Sequence, residues 1–343
     1  MKKHLPLAVA ALTLAVAANA KCWRINPNPN AKAQFKTVEE AMNDINVLPG
    51  DTLLMDPGSH GGFELKRNNM TIIGTGYYLD QNKNWSESMC SEANYIYLTE
   101  GSKVEGMYVK EWIGYKNEVG NITVSRCRAE SISINTGIVE RCYVTTCINV
   151  GKNAIVRNNL VDMSGGYVSS ITGKEGSLIE NNTITSKVGD SRYTIIDANN
   201  STIRNNIVIN TRTGFDNNNN VPYSEQYCID FDGTKNNVIQ NNVFSITSNY
   251  APTNYPNNHF VGASIENTFV MTGSEDGMYQ LLETSAAKNA ATHGGDCGAF
   301  GGATPYVLSG IPQFLPHITE ALVSAKPTDG KITVKLKIEN QDE

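Results

Sequence analysis

Apolar and polar positions recur in short blocks along most of this chain. One block runs aliphatic, variable polar, Asn, Asn, then two β-forming residues. It appears as Val156-Arg157-Asn158-Asn159-Leu160-Val161, Ile179-Glu180-Asn181-Asn182-Thr183-Ile184, Ile203-Arg204-Asn205-Asn206-Ile207-Val208 and Ile239-Gln240-Asn241-Asn242-Val243-Phe244. A degenerate copy follows at Ile265-Glu266-Asn267-Thr268-Phe269-Val270. The second Asn positions are 23, 24 and 36 residues apart, with 26 more to Thr268. Weaker upstream copies centre on Val139 to Val144, Val124 to Ala129 and Val104 to Val109, where Cys142, Cys127 and Met107 replace the second Asn. Ile72-Ile73-Gly74-Thr75 is expected to begin the series. A repeat of this length built from strand-forming residues predicts a β-solenoid.

A second column lies a few residues before each block: Ile96-Tyr97-Leu98, Ile132-Ser133-Ile134, Ile148-Asn149-Val150, Ser169-Ser170-Ile171, Thr194-Ile195-Ile196 and Ile229-Asp230-Phe231. Its period-two alternation predicts strands with one buried face. Two short strands per coil describe an all-β, parallel β-helix in which equivalent residues stack ~4.8 Å apart. Asn159, Asn182, Asn206 and Asn242 are then expected to face inward as a hydrogen-bonded stack at one bend, since buried amides must be satisfied.

The chain ends carry different signals. Met1-Lys2-Lys3, an apolar stretch from Leu5 to Ala18 and Ala18-Asn19-Ala20 read as a signal peptide over residues 1–20. The mature chain is expected to be secreted or periplasmic, held at the cell surface only by other means. Residues 21–304 form the solenoid in this reading, and 305–343 a connector and a hairpin tail. In the tail, Ile332, Val334, Leu336 and Ile338 alternate with Lys331, Thr333, Lys335 and Lys337. The tail is too short for its own core and is expected to pack along the solenoid flank.

A net charge of −6 argues against nucleic acid and anionic membranes as partners. No segment after the leader is apolar enough to insert in a membrane, and one elongated monomer is expected. Seven cysteines in an exported chain raise disulfides. Cys127 and Cys142 share a column on neighbouring coils, close enough for a bond; buried stacked thiols are the equal alternative. Cys147 and Cys228 lie too many coils apart to pair.

The repeats, together with Phe35-Lys36-Thr37-Val38-Glu39-Glu40-Ala41-Met42, Pro49-Gly50-Asp51-Thr52-Leu53-Leu54 and Asp56-Pro57-Gly58, resemble the right-handed parallel β-helix proteins of the pectate-lyase-like superfamily across about residues 31–305. The resemblance implies an N-terminal capping helix followed by the first strand. Thr37 and Glu40 fit a capping box, with Val38, Ala41, Met42 and Ile45 on one face. Gly277-Met278-Tyr279-Gln280-Leu281 and Asp296-Cys297-Gly298-Ala299-Phe300-Gly301-Gly302 look like last-coil phrases of secreted bacterial members. The superfamily hosts lyases, hydrolases and binding proteins, so the likeness speaks to fold more than activity. The full set of paired-Asp, His-Gly and Arg-x-Lys marks of its hydrolases, and the Trp-x-Asp-His and Arg-x-Pro-x-x-Arg marks of its pectate lyases, are absent; His60-Gly61 and His293-Gly294 stand without the other hydrolase marks.

One constellation remains. Asp197 and Asp232 follow equivalent strand positions and are expected in one turn column on adjacent coils, beneath an insertion at residues 211–227. Two carboxylates one rung apart must share a proton, diverge or bind a cation, for which Ca2+ suits an oxygen-rich loop. A polysaccharide lyase needs a cation on the uronate and a base for the α-proton. Arg192, Tyr227 and Lys235 are the candidate catalytic groups; Arg192, Asp230, Tyr223 and Glu225 are candidates for substrate contact. Three classes follow: a polysaccharide lyase-like enzyme, a non-catalytic polysaccharide-binding protein, and a structural or adhesive surface solenoid.

Overall fold

The computed structural model describes residues 20–78, 81, 90–163, 169–188, 193–216, 220–312, 317–323, 331 and 333–339. Residues 1–19, read from the sequence as most of a signal peptide, and Arg192 lie outside them. Strands of two to eight residues alternate between two long sheets, and every pairing within those sheets is parallel. The first sheet has ten strands stacked in sequence order, from Cys22–Ile25 and Thr52–Met55 through Ile155–Arg157, Leu178–Glu180 and Thr202–Arg204 to Val238–Gln240. The second has fifteen and climbs alongside, from Phe63–Glu64 to His259–Phe260. Neighbours in space are neighbours in turn number, which is the architecture of a parallel β-solenoid. No helix among the described residues is long and apolar enough to cross a membrane.

The reason lies in the registers. Val104, Val124, Val139, Val156, Ile179, Ile203 and Ile239 pair rung by rung and are buried. Across the coil, Ile96, Ile113, Ile132, Ile148, Ile171 and Ile195 form the facing column. A short strand buries too little by itself, so the aliphatic stacks stabilise the fold only through neighbouring coils. The bend between the sheets needs a left-handed residue. Gly106, Arg126, Arg141, Asn158, Asn181, Asn205 and Asn241 all supply positive φ there; Asn tolerates this region better than most residues.

The second Asn of each pair forms the expected ladder. Oδ1 of Asn182, Asn206 and Asn242 each accepts from the backbone N–H of the preceding ladder Asn at 2.9–3.0 Å. Nδ2 of Asn159, Asn182 and Asn206 donates to the next Oδ1 at 2.9–3.0 Å. The same Nδ2 atoms donate back to the carbonyls of Val139, Val156 and Ile179. All four side chains are fully buried.

Several expectations change. The ladder ends on Asn258, whose Oδ1 accepts from Asn242 N–H at 3.1 Å and Nδ2 at 3.0 Å. The sequence Ile265 to Val270 is no coil: Ile265–Thr268 is a helical turn capped by Ser264. Its Asn267 is spent on that capping box. The series also begins two rungs before Ile72, at Cys22–Ile25. In the second column, Ile171 and Ile195 stack on Ile148, so the 169–171 and 194–196 triplets sit two and one residues out of the expected frame. Helix Val38–Asn43 buries Val38, Ala41 and Met42, but Ile45 falls beyond it and is 85% exposed. Thr37 Oγ1 accepts from Glu40 N–H, whereas the Glu40 carboxylate reaches Lys36 N–H instead of Thr37. Cys127 and Cys142 are free thiols, each donating to the carbonyl one coil earlier, Val104 at 3.8 Å and Val124 at 3.6 Å.

The segment after the last coil turns back along the outside of the bend. Asn241 Nδ2 donates to Ala290 O, Thr292 N–H to Asn205 Oδ1, Asn158 Nδ2 to Ala299 and Gly301 carbonyls, and Arg126 Nη1 to Ile311 O. The phrases expected to form the last coil therefore cover earlier coils. Tyr77, Tyr143, Leu160 and Ile207 on the outer wall pack with Phe269 and Tyr306 into a second core. The strands His317–Val323 and Val334–Glu339 pair antiparallel, and Leu322, Val334 and Leu336 are about half exposed.

Candidate functional site

The coil containing Thr202–Arg204 and Ile207–Asn210 leaves the second sheet at Thr211 and rejoins the wall at Cys228. The intervening loop is a built element. Asn210, buried, donates through Nδ2 to the carbonyls of Val188 and Tyr223, both at 2.9 Å. Ser245 Oγ donates to Ser224 O at 2.7 Å, and Tyr227 Oη to the buried Asp216 at 2.8 Å. Thr247 N–H donates to the Glu225 carboxylate. These contacts tie Asp216 to Tyr227, and the turn at residues 223–225 to Asn210 and to the following coil.

Between this loop and the turn at residues 262–266 lies a groove of about 590 Å³. Its loop side carries Arg212, Phe215 and Glu225; Glu266 stands on the other side. The Arg212 guanidinium lies 3.9 Å from the centroid of Tyr223, and Phe215 is 57% exposed. An aromatic strip leads from the groove to the neighbouring wall: Tyr223 and Tyr227 are 6.4 Å apart, Tyr227 and Tyr193 5.7 Å.

On that wall, Lys235 is paired with Asp230, and Lys174 with Asp197 at 3.1 Å. The hydrogen bond to Asp230 raises Lys235; burial opposes this, and the charges of Asp230, Asp197 and Asp232 reinforce it. Tyr193 is raised by burial and by the Asp230 charge. Asp232 caps the turn Gly233–Lys235, and the N–H and hydroxyl of Thr234 lower its carboxyl.

The carboxylates do not share one column. Ile195 bridges Ile229, and Thr194 N–H donates to Tyr227 O. Continuing that register sets Asp197 beside Phe231, with Asp232 one place further on. The turn at Gly233–Lys235 then lengthens the coil, so that Asn200 N–H meets Lys235 O. The two side chains diverge to different partners. Among the described residues, no group of three or more His, Cys, Asp or Glu side chains is arranged to hold a metal.

The structure thus brings Lys235, Asp230, Tyr193 and Tyr227 into one strip, with Asp197 and Asp232 within electrostatic reach of Lys235. Tyr223 and Glu225 belong to the loop beside the groove. Arg192 lies outside the described residues. Sequence reasoning missed Arg212 and Phe215, although the 36-residue interval between Asn206 and Asn242 marked their loop. It also missed the 262–266 rim, because those residues were assigned to a further coil. No protein-family profile, curated protein or solved structure matches this chain.

Proposed function

We propose that this chain is an exported, solenoid-type polysaccharide-binding protein of the pectate-lyase-like kind, which holds a glycan in the groove beside the 211–227 loop. The observation that carries this reading is the composition of that groove. It joins the exposed ring of Phe215 to a guanidinium stacked on Tyr223 and to the Glu225 side chain. Ring faces accept the apolar faces of sugars, and a guanidinium pairs with a uronate in a fork. The volume falls within the ~300–1,000 Å³ that ligand sites span.

Binding is better supported than β-elimination. A base must be neutral or anionic to take an α-proton, and Asp230 holds Lys235 protonated. Burial keeps Tyr193 a protonated phenol rather than a phenolate base, and Tyr227 donates its hydroxyl hydrogen to the buried Asp216. A calcium ion bridging the wall would have to draw Asp197 away from Lys174 and Asp232 away from Thr234. The lyase alternative therefore asks for rearrangement, whereas the groove is already open. Export rests on the leader sequence at residues 1–20.

The test is affinity electrophoresis of the chain from Lys21 onward against uronic-acid and neutral polysaccharides, with absorbance followed for unsaturated products. Retardation by an acidic glycan without product is expected. Arg212→Ala and Phe215→Ala are each expected to weaken it about tenfold, a loss of about 1.4 kcal/mol. No retardation by any polysaccharide sinks the reading; unsaturated product restores the lyase.

A further inference from the structure

Near the other end of the second sheet, its outer face carries a different surface. Phe63, Ile96, Ile113 and Ile132 stack inward. The residue before each of these gives an outward column, Gly62, Tyr95, Trp112 and Ser131; the residue after gives Glu64, Tyr97, Gly114 and Ser133. Glycine and aromatic residues complement one another here. A Cβ at Gly62 would stand 2.2 Å from Cε1 of Tyr95, and one at Gly114 2.7 Å from Cζ3 of Trp112. Each ring rests against a backbone that only glycine leaves bare. Tyr97 stands across both, 5.3 Å from Tyr95 at 70° and 4.4 Å from Trp112 at 85°. Lys116 Nζ lies 4.6 Å from the Tyr97 centroid and pairs with Glu64.

Beside these rings is a recess of about 190 Å³, whose charged lining is Glu39, Glu64, Lys66 and Lys116. We infer that this recess and the adjoining Trp112 face form a second glycan site, independent of the groove beside the insertion, which takes a neutral β-linked hexopyranose chain. Two carboxylates balance two ammonium groups, so the lining favours neither a uronate nor an amino sugar. Its four charged heads suit hydroxyl groups, which both donate and accept. Ring faces supply the apolar contact, and a few polar groups fix orientation. The recess has room for a single sugar unit, with the chain continuing over Trp112. An equatorial β-1,4 chain is an extended ribbon that can follow such a surface; an α-1,4 chain curves away from it.

Isothermal titration of the exported-form protein with cellohexaose, maltohexaose and polygalacturonate tests this. Cellohexaose is expected to bind more tightly than maltohexaose. Trp112→Ala should weaken cellohexaose about tenfold and Trp112→Phe should recover most of the loss, because a flat ring is retained. Neither should alter polygalacturonate binding, whereas Arg212→Ala should do the reverse. Trp112 packs on Gly114 and Tyr97, so Trp112→Phe, which keeps a ring there, is expected to melt closest to the wild type and separates lost binding from lost folding. Absence of cellohexaose binding, or binding unchanged in Trp112→Ala and Tyr95→Ala, overturns the site. Equal binding of maltohexaose overturns the β-linked specificity. Loss of polygalacturonate binding alone would strike the groove and leave this site standing.

Discussion

One column of the solenoid is built twice, in two chemistries. From Asn159 to Asn242 the inward residue after the left-handed bend is an amide; from Met107 to Cys142 it is a thioether or a thiol. Both halves occupy the same bend and stack at the same rung spacing. The amide half closes its own hydrogen bonds, since each central Asn accepts from the coil before it and donates to the coil after it. The thiol half has only weak donors aimed at carbonyls, at 3.6 Å and 3.8 Å. The halves meet where Cys142 N–H donates to Asn159 Oδ1 at 2.9 Å. The bend therefore accepts an inward side chain as different as Met107, Cys127 or Asn159, while the hydrogen-bonding load depends on which residue is used.

Alkali should separate the halves most strongly. Burial pushes Cys127 up to about 12 and Cys142 well above its ordinary value. The neutral thiol is favoured in the folded state, so the native chain holds a proton that the unfolded chain releases. Stability is then whole below the unfolded thiol value of ~8.5 and falls as pH rises toward the folded value. Each buried thiol is expected to contribute about 1.4 kcal/mol per pH unit in that window. Denaturant unfolding of a Cys127→Val, Cys142→Val double variant from pH 8.5 to 10 should show a shallower slope; an unchanged slope breaks the distinction. The amides do not titrate.

Truncation should show a smaller contrast. Asn206→Ala strands Asn182 N–H and the carbonyl of Ile179, and is expected to cost about 3 kcal/mol. Cys142→Ala loses packing and one weak donor, and is expected to cost about 1 kcal/mol. Comparable losses in urea unfolding would mean that packing, not hydrogen bonding, sets the worth of this column. The mildest test is Cys142→Asn, which would extend the ladder by one rung. Its change is expected to stay within about 1 kcal/mol, because the new amide would find Val124 O behind it and Asn159 Oδ1 ahead. A loss comparable to that of Asn206→Ala would show that the Arg141 bend cannot seat an amide.

The same logic separates what was readable in the candidate site from what was not. The 36-residue interval marked the insertion, and the Asp-rich wall was visible as a local accumulation of charge. The partners were not. Lys174 lies 23 positions from Asp197, and the Ile195–Ile229 register sets Asp197 beside Phe231, one place short of Asp232, so the expected Asp197–Asp232 pair comes apart. Arg212 meets Tyr223 because the loop folds on itself, a contact with no periodic signature.

Periodicity by itself determined the stacked strands, the inward aliphatic columns and the amide ladder. Those features repeat, and a repeat fixes its own neighbours once one rung is placed. The extra rung at Asn258 has no signature in the sequence because Tyr255-Pro256 replaces the aliphatic lead-in. Tertiary structure alone decided where the non-repeating residues go. The 265–304 segment is expected to continue the coils, yet its apolar residues find a partner in the outer wall at Tyr77, Tyr143 and Ile207. Nothing local distinguishes an aliphatic residue buried inside the coil from one buried against its outside; only the surface left uncovered by the finished solenoid makes that choice.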